Sequence, residues 1–208
     1  MTVDLQDCLA TSWIHILDAD EQRRGNQFRF ASDRDSYIMA HVLLRRMLSS
    51  IADIKPNRWR FISGENGRPE IHPELGVSRL RFSLSHTRGM VACAISTDLE
   101  VGVDVEACDN EISPEDIAKK FFADPEVELL NMSPKNQRNS AFYRLWTLKE
   151  AYLKATGLGI TVPLDAFSFS LDPVSLKIPL IGQFCGGNWS FIEIQPGPNH
   201  VLSLAVQC

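Results

Sequence analysis

At 208 residues the chain is long enough for one domain, or for two small lobes that share a core. Its hydrophobic share of 44% and its charged share of 23% are ordinary for a globular protein in water. The net charge of −5 disfavours a broad basic surface and so disfavours nucleic acid as a partner.

The first strong element is a helix that follows residue 32. Ser32 and Asp35 fit a capping box, and Arg45 and Arg46 fall on the polar side of the helix. A short alternating stretch at residues 11–17 predicts a strand before it. The apolar positions of the helix recur at helical spacing and are Tyr37, His41, Leu44, Met47 or Leu48, and Ile51.

Strands dominate the next segment. Residues 58–62 predict one strand, and Asn66-Gly67 is the dipeptide typical of a tight hairpin turn. A polar loop is predicted at residues 85–89, between two further strands. The remaining strands are predicted at residues 80–84, 91–96 and 100–106.

Helices return after residue 112. Ser113-Pro114 and Asp124-Pro125 each open a helix, because Pro is tolerated in the first turn. A long helix is predicted over residues 134–156, with Gly157 as its stop. Short strands follow from residue 167 onward. The order strand, long helix, strands therefore occurs about once per half, which indicates two similar lobes.

Cysteine usage and the N-terminus bear on the compartment. The chain has five scattered cysteines and no Cys-x-x-Cys pair, which predicts reduced thiols and no zinc site. Asp4 and Asp7 lie where a secretory signal needs basic and then apolar residues. No apolar run approaches the length of a membrane span. We therefore expect a cytoplasmic protein with no membrane partner.

Three acids and a lysine stand in two short segments. On a strand, Asp104 and Glu106 point to the same face, where paired carboxylates repel unless solvated, protonated or neutralised. On a helix, Glu150 and Lys154 lie one turn apart. Mg²⁺ prefers hard oxygen ligands and is usually held by a few carboxylates with substrate phosphate. The set predicts a magnesium site beside bound phosphate; the alternatives are a solvated acidic strand and an ordinary helix-stabilising Glu–Lys pair.

These residues resemble a known family. Gly-Val-Asp-Val-Glu at residues 102–106, followed by Trp-Thr-Leu-Lys-Glu-Ala at residues 146–151 and by Lys154, resembles the signature of the 4′-phosphopantetheinyl transferases. The similarity is to the surfactin-synthetase type, in the branch with Trp and Lys-Glu-Ala in its second motif. Gly-Arg-Pro at residues 67–69 resembles the family's Gly-Lys-Pro loop. Phe-Ser-Leu-Ser-His at residues 82–86 resembles its Phe-Asn-Ile-Ser-His segment.

The resemblance implies a fold and an activity. The implied fold is α+β, one compact unit of two similar lobes related by a pseudo-twofold axis, with the active site in the cleft between them. Residues 1–100 would form the lobe with the coenzyme A nucleotide contacts, and residues 101–208 the lobe with the metal site and catalytic helix. The implied enzyme is a monomer that needs Mg²⁺. It moves the 4′-phosphopantetheine arm of coenzyme A to a serine of an apo acyl or peptidyl carrier protein, and releases adenosine 3′,5′-bisphosphate.

The resemblance also assigns roles to residues. Asp104, Glu106 and Glu150 correspond to the magnesium ligands, although some relatives lack an acid at the position of Glu106. By this resemblance Glu150 would also deprotonate the incoming serine, directly or through a water. Lys154 stabilises the leaving phosphate.

Four residues match positions that grip coenzyme A, chiefly its 3′-phosphate and nucleotide end. Arg23 is an alternative to Arg24 for this contact, and His86 could instead be an ordinary loop histidine. Ser83 replaces the family's usual Asn, and Arg68 its usual lysine. The four matched residues are Arg24, Arg68, Ser85 and His86.

Two other functions stay open. A different magnesium-dependent phosphotransferase would need a Gly-rich phosphate loop, and none is present. A non-catalytic carrier-binding relative is disfavoured by the intact acids and Lys154. The carrier itself is expected to be acidic and to meet a locally basic surface. The candidate residues for that surface are Arg23, Arg29, Arg34, Arg45 and Arg46.

Overall fold

A computed structural model describes residues 2–4, 13–108, 113–178 and 187–208. Cys8 and Cys185 lie outside these ranges. The helices are α1 (Ala19–Gly25), α2 (Ala31–Ser49), α3 (Pro114–Phe121), α4 (Asp124–Met132) and α5 (Lys135–Thr156). The strands are β1 (Thr2–Asp4), β2 (Phe61–Ser63), β3 (Pro69–Ile71), β4 (Leu80–Thr87), β5 (Met90–Thr97), β6 (Val101–Ala107), β7 (Ser168–Leu171), β8 (Val174–Lys177), β9 (Trp189–Gly197) and β10 (His200–Gln207). This mixture of helix and sheet confirms the predicted α+β class.

Each half of the chain builds an antiparallel three-stranded sheet with the same topology. The first sheet has the order β1-β5-β4 and the second the order β6-β10-β9. A long helix packs on each sheet, α2 on the first and α5 on the second. In both halves a two-stranded hairpin follows that helix, β2-β3 and then β7-β8. The element order thus repeats, while the lobe boundary at residue 100 stays a prediction.

The two sheets contact each other where β4 lies beside β6. Buried residues of β5, β6 and β10 form one small apolar cluster across this junction. Larger clusters fill the space under α2 and around α5. Helix α2 therefore buries the apolar face that its spacing predicted, except that Ile51 lies beyond the end of the helix and is exposed. Helix α5 also buries an apolar face. No helix in the described part of the chain is both long and apolar enough to cross a bilayer.

The N-terminal elements differ from the prediction. The described part of residues 11–17 holds a short 3₁₀ turn at Ile14–Ile16 instead of a strand. Helix α2 starts without a side-chain cap, so the capping box at Ser32 and Asp35 is wrong. The real capping box belongs to α1: Asp18 Oδ1 accepts the amide of Glu21, and the Glu21 carboxylate accepts the amide of Asp18.

Arg45 is buried, although its helix position predicted a polar surface. Its side chain is 0% exposed, because α1 covers that side of α2. Its Nε donates to Glu21 Oε2 at 2.9 Å, its Nη2 to Asp18 Oδ2 at 3.0 Å and its Nη1 to the Trp59 carbonyl at 2.9 Å. Arg45 is therefore not available to a carrier protein, and that part of the prediction is wrong.

The hairpins show one confirmed turn and one corrected loop. Asn66 and Gly67 both have positive φ, at 54° and 78°, and lie in the five-residue connection at residues 64–68 that joins β2 to β3. The polar loop predicted at residues 85–89 is wrong in its first three residues. Strand β4 runs on until Thr87 pairs with Met90, and only a two-residue turn at residues 88–89 remains.

Candidate active site

Asp104 lies at the junction of the two sheets and is only 3% exposed. Its Oδ1 accepts hydrogen bonds from Ser85 Oγ at 2.8 Å and from Lys154 Nζ at 2.7 Å. Its Oδ2 is also buried and has no hydrogen-bond partner. Leaving a buried acceptor unsatisfied costs roughly 1–3 kcal/mol. The alternative of a solvated acidic strand is therefore wrong for Asp104. Its Oδ2 can still bind a cation or accept a hydrogen bond.

A row of hydroxyls on β4 joins the first sheet to β6. Ser83, Ser85 and Thr87 point the same way because they alternate along the strand. Each hydroxyl oxygen accepts the backbone N–H of the β6 residue twenty positions later, at 3.0, 3.3 and 3.1 Å respectively. Thr87 Oγ1 also donates to Glu106 Oε2 at 3.2 Å. This hydroxyl row places β4 directly against the acids of β6.

The three acids share one electrostatic environment. Burial, together with the nearby charge of Asp104, raises the pKa of Glu106 to about 7. The same two causes raise the pKa of Glu150. In the described ranges, no three His, Cys, Asp or Glu side chains converge into a preformed metal site. The residues nevertheless fit Mg²⁺, since Asp104 Oδ2 lacks a partner and Mg²⁺ usually completes its shell with water and substrate phosphate.

Gly102 allows α5 to approach β6 closely. A Cβ on Gly102 would lie 1.9 Å from the Ala151 carbonyl oxygen and 2.5 Å from the Ala155 backbone nitrogen. Ala151 and Ala155 are themselves fully buried at this contact. The glycine of the strand motif and the alanine of the helix motif are therefore packing partners. Their contact brings Lys154 within hydrogen-bond distance of Asp104.

We expect Gly102→Ala to lower the free energy of unfolding by roughly 1–3 kcal/mol, because the new methyl group meets helix backbone that cannot move aside. Chemical denaturation monitored by circular dichroism measures the loss. Gly25→Ala is the control, since a Cβ there meets its nearest atom at an ordinary 3.5 Å. Equal midpoints for the two variants would contradict the packing argument.

Two adjoining clefts lead to Lys154. The larger, of about 580 Å³, is lined by residues that include Arg24, Tyr37, His41 and His86. The smaller, of about 230 Å³, has Lys154 in its wall together with residues of both halves of the chain. The two clefts share the lining residues Gly67, Pro69, Phe82 and Leu84. The volume of the larger cleft is in the range of small-molecule sites.

Two predicted coenzyme A residues line the larger cleft. Arg24 is exposed, and its guanidinium carbon lies 5.9 Å from the centre of the Tyr37 ring. His86 is on β4 with an exposed side chain at the rim. Partial desolvation, followed by the positive charge of Lys154, lowers the pKa of His86. Both side chains are placed to reach a ligand in the cleft.

The other two predicted residues are occupied by protein contacts. Arg68 Nη1 donates to Glu100 Oε2 at 2.8 Å and to the Ala155 carbonyl at 3.2 Å, near the C-terminus of α5. Asn66 Nδ2 donates to the Gly157 carbonyl at 3.0 Å, so the hairpin turn also holds that end of the helix. Ser85 is buried, and its hydroxyl bonds Asp104 and Lys154.

Comparison with known proteins assigns the family. Residues 100–205 match the family model of the 4′-phosphopantetheinyl transferase superfamily, and residues 7–98 match that of the 4′-phosphopantetheinyl transferase N-terminal region. The chain belongs to the 4′-phosphopantetheinyl transferase superfamily. The family resemblance of the two motifs is confirmed, and so is the activity it implied: transfer of phosphopantetheine from coenzyme A to a carrier protein.

Relatives extend this similarity over most of the chain. The 4′-phosphopantetheinyl transferase HetI of a Nostoc species is 35% identical over 202 residues, which cover 97% of this chain and 81% of the relative. The 4′-phosphopantetheinyl transferase Sfp of Bacillus subtilis is 31% identical, over 80% of this chain and 73% of its own. The human L-aminoadipate-semialdehyde dehydrogenase-phosphopantetheinyl transferase is 25% identical over 210 residues, which cover 93% of this chain and 68% of the relative.

Sequence reasoning missed several residues that organise this superfamily member's site. Thr87, Glu100 and Asn66 were assigned no role at the site, yet they bond Glu106, Arg68 and the end of α5 respectively. A signal for Thr87 was present: Ser, Ser and Thr alternate at residues 83, 85 and 87, a period of two that marks one face of a strand.

Proposed function

We propose that Mg²⁺ and the diphosphate of coenzyme A bind together between β6 and α5 in this enzyme. The observation that carries the proposal is the buried Asp104 carboxylate, with one oxygen on Lys154 and the other without a partner. Asp104, Glu150 and Glu106 are the proposed ligands, with the diphosphate and water completing the shell. The raised pKa values of Glu106 and Glu150 support it, since a divalent cation would offset both the burial of these carboxylates and the repulsion from Asp104 that raise them.

The chain's own residues account for the chemical step. The serine hydroxyl oxygen of the carrier bonds to the phosphorus that bears pantetheine, and the bond from that phosphorus to the bridging oxygen breaks. Glu150 accepts the serine proton, directly or through a water. Lys154 donates to the phosphate oxygen that leaves on adenosine 3′,5′-bisphosphate. Bound Mg²⁺ supplies charge neutralisation on the diphosphate.

The nucleotide end of coenzyme A is proposed to occupy the larger cleft. Arg24 and His86 line it, and a guanidinium offers paired donors to the 3′-phosphate. The smaller cleft continues from there to Lys154, so the diphosphate can follow the nucleotide towards the acids. Its walls come from both halves of a single chain, which supports action as a monomer.

The decisive experiment incubates apo carrier proteins of several pathways with enzyme, coenzyme A and Mg²⁺. Mass spectrometry should show a mass increase of one phosphopantetheine, abolished by a chelator and restored by added Mg²⁺. Asp104→Asn should require far more Mg²⁺ for the same rate, whereas the exposed Glu128→Gln should behave as the wild type. A carrier that binds but gains no mass would favour the non-catalytic alternative. Modification that persists in chelator would refute the metal site.

We expect the KM for an acidic carrier protein to rise several-fold with increasing salt, because screening weakens attraction between opposite charges. Three of the five candidate arginines are exposed: Arg23, Arg29 and Arg46. Steady-state kinetics at a series of NaCl concentrations measures the effect. Arg29→Glu should raise the KM further at low salt. The control is Arg79→Glu, an arginine already paired with Asp98 on the surface. A salt-independent KM would contradict electrostatic docking.

A further inference from the structure

We propose that Ser85 and Thr87 are positioning residues, which orient the carboxylates of Asp104 and Glu106 towards the cation and do not contact coenzyme A. The inference rests on the proposed function for the metal-binding role of the two acids. It differs from the family resemblance, which places Ser85 among the coenzyme A contacts.

The hydrogen-bonding capacity of Ser85 is already used. A hydroxyl has one proton to donate and two lone pairs to accept with. Ser85 Oγ donates to Asp104 Oδ1 at 2.8 Å, and it accepts from the Val105 amide at 3.3 Å and from Lys154 Nζ at 3.0 Å. The residue is also 6% exposed. The hydroxyl therefore has no proton left to donate to a phosphate oxygen of coenzyme A.

These bonds decide which oxygen of Asp104 faces the cation. Oδ1 is held by two donors, Ser85 Oγ and Lys154 Nζ, while Oδ2 has none. With Oδ1 anchored on β4, rotation of the carboxylate about its last bond is restricted. The free oxygen therefore keeps one direction, which lowers the ordering cost of binding a cation.

Thr87 repeats the arrangement one step along the strand. Its Oγ1 accepts the Ala107 amide at 3.1 Å and donates to Glu106 Oε2 at 3.2 Å. Glu106 has one more side-chain torsion than Asp104, so a fixed partner restricts it more. The first sheet, through β4, thus sets the orientation of two acids that belong to the second sheet.

Ser83 is a natural control within the same row. Its Oγ accepts the Val103 amide at 3.0 Å, so it joins β4 to β6 as the other two hydroxyls do. Gly102 lies opposite Ser83 on β6, just as Asp104 lies opposite Ser85 and Glu106 opposite Thr87. Gly102 has no side chain to orient. Ser83→Ala therefore removes the strand-joining bond without touching a carboxylate.

The test compares full-length Ser85→Ala, Thr87→Val and Ser83→Ala by calorimetry. We expect Ser85→Ala and Thr87→Val to bind coenzyme A without Mg²⁺ as the wild type does. Titration of the enzyme–coenzyme A complex with Mg²⁺ should give a Kd about 10-fold to 100-fold higher for Ser85→Ala and Thr87→Val, the usual cost of losing a partner of a metal ligand, and little change for Ser83→Ala. Equal Mg²⁺ affinities for all three variants, or weaker coenzyme A binding by Ser85→Ala in the absence of metal, would overturn the proposal.

A crystal structure of Ser85→Ala makes the test independent of the metal. We expect the Asp104 carboxylate to rotate or to occupy two orientations, while Ser83→Ala leaves it in place. An unmoved Asp104 in Ser85→Ala would overturn the positioning role. Failure of wild-type enzyme to bind Mg²⁺ in the presence of coenzyme A would instead refute the proposed function, so the two failures are distinguishable.

Discussion

Lys154→Ala is expected to lower kcat by roughly 10²–10³-fold, the usual cost of removing one preorganised donor to developing charge, while the Kd for coenzyme A changes much less. Lys154 stands where the smaller cleft meets the acids, and its ammonium lies 2.7 Å from Asp104 Oδ1. When coenzyme A is bound, the same ammonium can donate a hydrogen bond to the phosphate oxygen that gains negative charge as the leaving group departs. A contact that strengthens in the transition state affects turnover more than binding.

Measuring this prediction needs both kinetics and calorimetry on the same protein samples. Lys177→Ala is the matched control, because Lys177 is an exposed lysine on β8, outside the clefts. The circular dichroism spectrum of Lys154→Ala should match that of the wild type before rates are compared, since the substitution removes the ion-pair partner of the buried Asp104. A kcat near the wild-type value would exclude Lys154 from the chemical step.

Lys149→Met is expected to lower the free energy of unfolding by about 3–5 kcal/mol, the usual cost of leaving one member of a buried ion pair without its partner. Lys149 and Glu126 are both 0% exposed, and Lys149 Nζ lies 2.7 Å from Glu126 Oε2. The ammonium also donates to the carbonyls of Leu164 at 2.7 Å and Phe167 at 2.6 Å. The substitution strands a buried carboxylate and two carbonyls at once.

A double variant separates the stranded charge from the loss of packing. Glu126 Oε1 also accepts the amide of Phe169 and Oε2 that of Ala123, and the single carbonyl oxygen of a glutamine can keep one of these two bonds. Lys149→Met with Glu126→Gln should therefore recover part of the stability lost in the single variant. Urea unfolding measures both, with the exposed Lys135→Met as control. A loss below about 1 kcal/mol in the single variant would contradict the buried-pair argument.

Lys149 and Glu150 show that a sequence motif does not by itself tell which of its residues face the site and which stabilise the fold. They are neighbours in the motif on α5, but successive helical residues point about 100° apart. Glu150 therefore faces the acids of β6, and Lys149 faces α4 and the segment before β7. The sequence predicted the helix and its end at Gly157; it contained no indication of which element would cover each side.

Short-range patterns in the sequence determined much of the local structure of this protein. The Asn66-Gly67 turn, the bounds of α5 and the shared face of Asp104 and Glu106 depend on residues within a few positions of one another, where backbone sterics and side-chain period decide. The two motifs also sufficed for the family. These features could be read from the sequence because each is encoded locally.

Only the tertiary structure decided which partner each polar side chain has. Ser85 meets Asp104 across 19 residues, Lys154 meets Asp104 across 50, and Arg45 meets Glu21 across 24. A serine with the same hydrogen-bonding capacity can bind a phosphate or hold a carboxylate, and an arginine on the polar side of a helix can face water or a buried acid. The packing of β4 on β6 and of α1 on α2 selects between these outcomes, because a side-chain period gives the direction of a residue and not what lies opposite it.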